Sequence, residues 1–542
     1  MRLLQELQRN QEHPTIDVVI RQRVTRDTNH LEKFYIGDVT VYPDLSILQD
    51  TMEVQKNSRM VGEYRFLYNS RKFKLPFIAR NIFLKKGALY QQSNYYKTIN
   101  TFTNLGAWQQ VSIDLFERYD SLPYLDATIR LYPARKFGVS IDFETSRNTG
   151  DILTTGQLFG IGLNLGLHNR NAFHESIQTT TTLGFGVELG SRLVQTLQTS
   201  ISHNIYIPRF ISPIKIRNEH KLTAPTTIVN FKAAYTDRKD FFQVRSVNAS
   251  WGYNWSVKNH TWQYIPFNVE YTEVNKSDSF LKLEKEIPSI RYAFNNGLII
   301  GQILAYSKRW VLGMHSHLFR TRFEESGALF GLIKNLERNE LRRFIKGDVE
   351  YKYLFTRKKT GWAFRTFGGY GYVYGYTGNE PEYSLPFFKA YFAGGPYSMR
   401  AWQIRRLGPG SSKINDPPNK KGIDRFGNMQ LEGNVEYRFN VTTIYGVKVK
   451  SALFIDAGNI WGKDFDTSNV PIKESHFNLN RLYKDLAVGG GTGVRLDFDF
   501  FLIRLDYSFK LKNPLYADLN AGWFHDIKIG AGQFQLGIGY PF

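Results

Sequence analysis

The sequence predicts a mainly β protein: a 16-stranded transmembrane antiparallel β-barrel behind an N-terminal α+β domain. Three observations carry that prediction. From about residue 135 onward, apolar and polar residues alternate with period two, the pattern of strands with two unlike faces. Aromatic residues make up 15% of the 542 residues, yet mean hydropathy is −0.37. No apolar run approaches the ~20 residues of a spanning helix, whereas a barrel strand needs only ~9–11 residues, half of them facing water. Counted back from the end, connections alternate short and long: "DFF" then "NPLYADLNAGWFHD", "NVTTIYG" then "GKDFDTSNVPIKESHFNLNRLYK".

Composition narrows the function classes. Cysteine is absent, which excludes disulfides and thiolate metal sites. The formal net charge is +21. The lysines and arginines are spread through alternating strands without a domain-sized basic patch, which argues against nucleic acid and for lipid phosphates or a charged lumen. The opening "MRLLQELQRN" has no apolar core of a signal peptide. A barrel bound for an outer membrane needs a leader, so the expectation is that it was removed or that this is part of a longer protein.

The elements follow in order. "TIDVVIRQRV" (15–24) reads as a strand with no local partner, so residues 1–32 are expected to be the remnant of a preceding domain. In 33–133, "FYIGDVTVYP" is a strand, "NYYKTINTFTNLG" a helix closed by Gly106, and "AWQQVSIDLFERY" and "YLDATIRLYP" two more strands. The barrel occupies 134–542. Its segments centre near 141, 163, 183, 202, 230, 250, 267, 295, 315, 350, 369, 434, 453, 493, 506 and 535. Along "VRLDFDF" and "IRLDYSF", Val494, Leu496, Ile503, Leu505 and Tyr507 share one face, and Arg495, Asp497, Arg504 and Asp506 the other. A Lys or Arg at the lipid midplane costs roughly 2–4 kcal/mol, so the charge-poor face meets hydrocarbon and the charged face a polar lumen. A soluble sandwich also alternates, but its strands are about 5–6 residues long.

One connection, 377–426, is far longer than the others and contains "YFAGGPYSMRAWQIRRLGPGS". Loops of this length are functional or disordered, and its aromatic residues argue for order. Alternation puts Glu432, Glu436 and Asp456 on the inward face of the two strands that follow. Gly369, Gly371 and Gly375 share inward parity on the strand before, leaving room for an inserted loop.

Here the chain resembles the BamA/TamA superfamily of outer-membrane assembly factors. "GGPYSMRAW" is similar to that family's loop motif, a hydrophobic residue, Arg, Gly and an aromatic after a glycine pair, here Gly394, Gly395, Met399, Arg400, Ala401 and Trp402. "DRFGNMQLEGNVEYRF", "FIDAGNIW", "GTGVRLDFDFFLIRLD" and "LGIGYPF" follow in the family's order. Residues 33–133 resemble a membrane-proximal POTRA domain, and 1–32 the end of a preceding one. "MRAWQIRRLGPGS" leans toward the lipoprotein variant of TamA. Two departures stand out: Ala401 replaces the motif's glycine, which disfavours positive φ there, and no cysteine is present for lipidation.

The resemblance implies that Arg400 folds into the lumen and pairs with Glu436 and Asp456, with Glu432 nearby. It implies a seam between the first strand (near Ile141) and a glycine-weakened last strand (near Gln535) that opens sideways to insert or assemble β-barrel clients. Phe542 would end in the aromatic girdle, and Tyr540 and Phe542 would form the terminal signal. The implied partners are the outer-membrane bilayer of a Gram-negative bacterium, nascent β-barrel clients and a TamB-like periplasm-spanning protein, with the POTRA domain in the periplasm. A two-partner-secretion export pore and phospholipid transport remain the alternatives. No enzyme activity, cofactor, metal or nucleic-acid partner is expected. His315 and His317 share a strand face but lack a third ligand. "VGGGTGV" precedes a strand, not the helix a phosphate loop requires.

Overall fold

In the computed structural model, the described residues are 33–46, 57–118, 123–148, 158–189, 194–212, 223–286, 296–328, 341–413 and 425–542, apart from 375, 378–379, 382–384, 387, 463–471, 499, 526, 528–529 and 531. The expected strand at 15–24, the remnant 1–32 and Gly375 lie outside them. The chain divides into two units, Met1–Ala134 and Arg135–Phe542.

The first unit is a POTRA-like α+β domain. Its strands are β1 (Tyr35–Tyr42), β2 (Asn57–Val61), β3 (Tyr64–Tyr68), β4 (Trp108–Glu117) and β5 (Tyr124–Pro133), with helices α1 (Leu75–Arg80) and α2 (Gln92–Asn104). The sheet order is β2-β3-β1-β5-β4, with β1 parallel to both β3 and β5. On α2, Tyr95, Ile99 and Phe102 recur at helical spacing and pack into the core. Phe102 meets the Trp108 ring edge-on at 5.2 Å, and Phe73 stacks on Trp108 at 4.4 Å. Gly106, at φ +66°, takes the left-handed turn that ends the helix. The β2–β3 hairpin and α1 have no counterpart in the sequence reading. The signal was there in "RMVGEYRF", two short apolar runs around Gly62.

The second unit is a single 16-stranded sheet, antiparallel throughout. Its strands are β6 (Phe137–Asn148), β7 (Leu158–Ala172), β8 (Ile177–Leu189), β9 (Thr196–Ile207), β10 (Thr223–Arg238), β11 (Phe242–Val257), β12 (His260–Lys276), β13 (Gly297–Leu312), β14 (His315–Ser326), β15 (Phe344–Thr356), β16 (Thr360–Val373), β19 (Met429–Ile444), β20 (Val447–Trp461), β21 (Ala487–Asp497), β22 (Leu502–Lys512) and β23 (Gln533–Ile538). The two-residue strands β17 (Tyr376–Thr377) and β18 (Glu380–Pro381) form a hairpin inside the long loop. A helix, α3 (Asp278–Glu286), lies between β12 and β13. Each barrel strand pairs with its sequence neighbour, and β16 pairs with β19 across the inserted loop. The segment expected near 295 is β13, which begins at Gly297.

Exposure follows the alternation. Val139, Ile141, Phe231, Leu453, Ile455, Phe534 and Leu536 are exposed, while the residues between them on β19, β20 and β22 are buried. Burial of the charged set is extreme: Arg400, Arg495, Arg504, Glu436, Asp456 and Asp506 are each 0% exposed. The charged face of these strands therefore wraps around something, and the apolar face looks outward. Several turns on one rim are two residues long, among them Lys258–Asn259, Gly313–Met314 and Tyr445–Gly446. In the last, both residues have positive φ, matching the twist of a tight hairpin.

The loop within the sheet and the candidate site

The inward face holds the long loop between β16 and β19, and the strands are built to receive it. A Cβ on Gly369 would run into the Tyr391 ring, one on Gly371 into Leu385, and one on Gly489 would lie 2.7 Å from the Ala401 Cβ. The glycines of β16 and β21 are thus seats for loop side chains. The loop folds back on itself at Gly394 and Gly395, with φ of +107° and +91°, and Gly395 N–H donates to the Trp402 carbonyl at 2.9 Å. Ala401 is not among the positive-φ residues, so alanine stands here without backbone strain.

Arg400 occupies the tip. Its Nε and Nη2 donate to the two carboxylate oxygens of Asp456 at 2.9 and 2.8 Å, and its own backbone N–H adds a third bond at 3.1 Å. Nη1 donates to Glu436 at 2.5 Å, and the guanidinium lies 3.4 Å over the Phe454 ring. This fork-to-fork geometry is one that Lys cannot copy. Glu432 is not a partner of Arg400. It accepts from Arg365 at 2.7 Å, from Gln430 at 2.7 Å and from the Ser398 hydroxyl. Met399 and Trp402 are buried on either side.

Around Arg400 the network is wider than alternation alone reveals. Arg495 pairs with Asp506 at 2.8 Å and lies 3.3 Å from Glu436, and Arg504 pairs with Asp506 at 2.5 Å. Arg438 pairs with Glu436 at 2.9 Å. Four guanidiniums, Arg400, Arg438, Arg495 and Arg504, thus share three carboxylates, Glu436, Asp456 and Asp506.

The last strand is held by the loop. Gln535 Nε2 donates to the Arg400 and Trp402 carbonyls at 3.3 and 3.1 Å. The Tyr397 hydroxyl donates to the Ile538 carbonyl at 2.7 Å. Beyond Ile538 the alternation stops. Gly539 has φ +78°, and the Tyr540 and Phe542 rings lie 4.1 and 5.7 Å from the Arg438 guanidinium, which donates to the Phe542 carbonyl at 3.0 Å. Phe542 therefore turns toward an inward-facing arginine and not into an outward girdle. At the seam, Ile141 is outward and 59% exposed, while Gln535 faces the loop, so the two lie on opposite faces.

A second anchor escaped the sequence reading. Lys389, 8% exposed, donates from Nζ to Glu270 on β12 at 2.8 Å and to Glu324 on β14 at 2.5 Å. The loop thus bridges two walls, β12–β14 and β19–β23. Lys389→Met is expected to leave Glu324 buried beside Arg322 alone and to weaken loop seating toward the lower end of the ~3–5 kcal/mol of a broken buried pair. Limited proteolysis in the loop reads this directly; unchanged protection would contradict it.

His315 and His317 lie side by side on one face of β14, with tyrosines of the paired strand β15 beside them. Each Nδ1 is hydrogen-bonded to a tyrosine hydroxyl, Tyr353 and Tyr351, at 2.8 Å. Among the described residues no metal-binding group of three appears.

Comparison with known proteins places this geometry. Residues 337–542 match the model of the Omp85 superfamily domain. The chain is similar in fold to BamA from Haemophilus ducreyi lacking POTRA domains 1–3, at 12% identity and TM-score 0.57, covering 89% of this chain and 88% of that one. It also aligns with CdiB from Acinetobacter baumannii at 12% identity over 99% and 95% of the two chains, with a TM-score of 0.48, too low to add to the argument.

Proposed function

We propose that this chain, whose residues 337–542 match the Omp85 superfamily domain and whose fold is similar to that of BamA, is an outer-membrane β-barrel protein that inserts or assembles β-barrel proteins by lateral opening between β6 and β23, without enzymatic chemistry. One observation carries this reading: β23 has six residues against the twelve of β6, and it is held from the loop, by the Arg400 and Trp402 carbonyls and the Tyr397 hydroxyl. An unpaired strand edge offers a row of backbone donors and acceptors. An incoming client strand satisfies that edge by β-augmentation. In hydrocarbon the alternative is unsatisfied backbone, so ladder formation and apolar burial drive the step with no nucleotide.

In this reading the loop is the catch. Arg400 fixes its tip, and the tip fixes β23 through Gln535 and Tyr397. The POTRA-like unit works in the periplasm, presenting client strands or docking a TamB-like partner. The "MRAWQIRRLGPGS" run favours the lipoprotein variant of TamA within the superfamily.

An export pore has one observation of its own. A polar cavity of about 460 Å³ lies along β6–β10, lined by Glu144, Asn164, Glu188, Ser200 and Lys232 among others. Reconstitution separates the two. Proteoliposomes carrying the protein are expected to accelerate folding of a urea-unfolded β-barrel client without discrete conductance steps. Conductance without acceleration would favour export and overturn insertion. A depletion strain scored for outer-membrane protein levels and lipid asymmetry separates insertion from phospholipid transport.

A further inference from the structure

Seven neighbouring strands, β11 to β16 and β19, carry a row of aromatic rings on their outward face near the short-turn rim. Trp255 stacks on Trp262 at 6.3 Å, Trp310 on His317 at 4.9 Å, and Trp362 packs on Tyr437 at 4.8 Å. A barrel places such rings at the membrane interface. That explains the row but not the polar groups set in its middle.

There, His315, His317, Tyr351, Tyr353, Phe364 and Thr366 line an outward groove of about 590 Å³. Each Nδ1 shares a hydrogen bond with a tyrosine hydroxyl, Tyr353 for His315 and Tyr351 for His317, at 2.8 Å; in the tautomer in which the hydroxyl donates, the ring proton sits on Nε2 and is available to an acceptor in the groove. A cation stands on each flank. Lys308 Nζ lies 5.3 Å from the Trp310 ring, which stacks on His317. The Arg357 guanidinium lies 5.2 Å from the Phe355 ring, which stacks on His315 at 4.9 Å. No carboxylate belongs to the groove lining or to either flanking pair. Because the groove opens on the hydrocarbon-facing side, its occupant comes from the bilayer.

We infer that this groove is a binding site for an anionic glycerophospholipid of the leaflet at the short-turn rim. One acyl chain lies along the groove between Phe364 and the tyrosines. The phosphodiester accepts hydrogen bonds from the two imidazole Nε2–H groups at the rim, between Lys308 and Arg357. The aromatic shelf holds the glycerol region, as amphipathic rings do at interfaces.

Native mass spectrometry of the full chain in detergent tests this, with equimolar phosphatidylglycerol and phosphatidylcholine of matched acyl chains. The wild type is expected to retain phosphatidylglycerol preferentially. Lys308→Gln and Arg357→Gln are each expected to lower that preference about fivefold, the effect of one basic group near a charged headgroup. His315→Phe with His317→Phe keeps the rings and is expected to lower it as well. Lys308→Arg keeps the charge and is expected to retain it. Lys258→Gln removes a cation from the β11–β12 turn on the same rim and is expected to change nothing. Heat-modifiable gel migration verifies that each variant is folded. Equal retention of both lipids by the wild type would overturn the site. So would a preference that survives loss of both Lys308 and Arg357, or one that falls as far in Lys258→Gln.

Discussion

Arg400→Ala is expected to leave the barrel folded, unseat the loop and abolish most client assembly. The charge balance explains the separation. With Arg400 present, four guanidiniums share three carboxylates; without it, Arg438 still pairs with Glu436 and Arg495 and Arg504 with Asp506, while Asp456 is left with the Asn434 amide. The loss falls on the contact between the loop tip and Asp456, where a buried pair broken from one side costs about 3–5 kcal/mol; the other two carboxylates keep their arginines and hold the sheet together. Asp456→Asn acts differently. It leaves four cations against two anions inside the sheet and is expected to lower barrel stability itself, read as a lower temperature of gel-shift unfolding. Normal client insertion and unchanged loop protease protection in Arg400→Ala would contradict the role given to the loop.

A disulfide across the seam is expected to block assembly reversibly. The chain has no cysteine, so engineered pairs have a clean background. Faces decide which positions to use. Ile141 and Gln535 point to opposite sides, whereas Val139, Ile141 and Phe143 on β6 and Phe534, Leu536 and Ile538 on β23 all face outward and are more than half exposed. Cysteines drawn from these two sets share one face, which a bridge needs because its Cα atoms must come within about 7 Å. The oxidised pair is expected to lose client insertion entirely and regain it on reduction. Full activity in the locked state would rule out lateral opening.

Period-two alternation made the sheet legible because each face meets a different solvent, so each residue reports its side. It placed Glu432, Glu436 and Asp456 inward before any coordinates. It could not say which carboxylate takes which arginine, since Arg365, Arg438, Arg495 and Arg504 compete for the same inward groups. Lys389 was illegible for a related reason: Glu270 and Glu324 lie 119 and 65 residues away on strands where inward charge is ordinary. The end of the chain misled because "LGIGYPF" keeps its alternation on paper. Gly539 breaks the strand by taking positive φ, and the cation of Arg438 draws Tyr540 and Phe542 inward. In the first unit the β2–β3 hairpin was missed because its strands, at five residues each, are too short for periodicity to stand out.

The most direct test of the account is solvent accessibility along β10 in a bilayer, read by nitroxides placed singly at 229 through 236. Val229, Phe231, Ala233 and Tyr235 are expected to be accessible to oxygen and shielded from a water-soluble nickel chelate. Asn230, Lys232, Ala234 and Thr236 are expected to show the reverse, giving a period of two across the strand. A flat profile, or oxygen-rich sites at Lys232 and Thr236, would contradict the assignment of hydrocarbon to one face and water to the other.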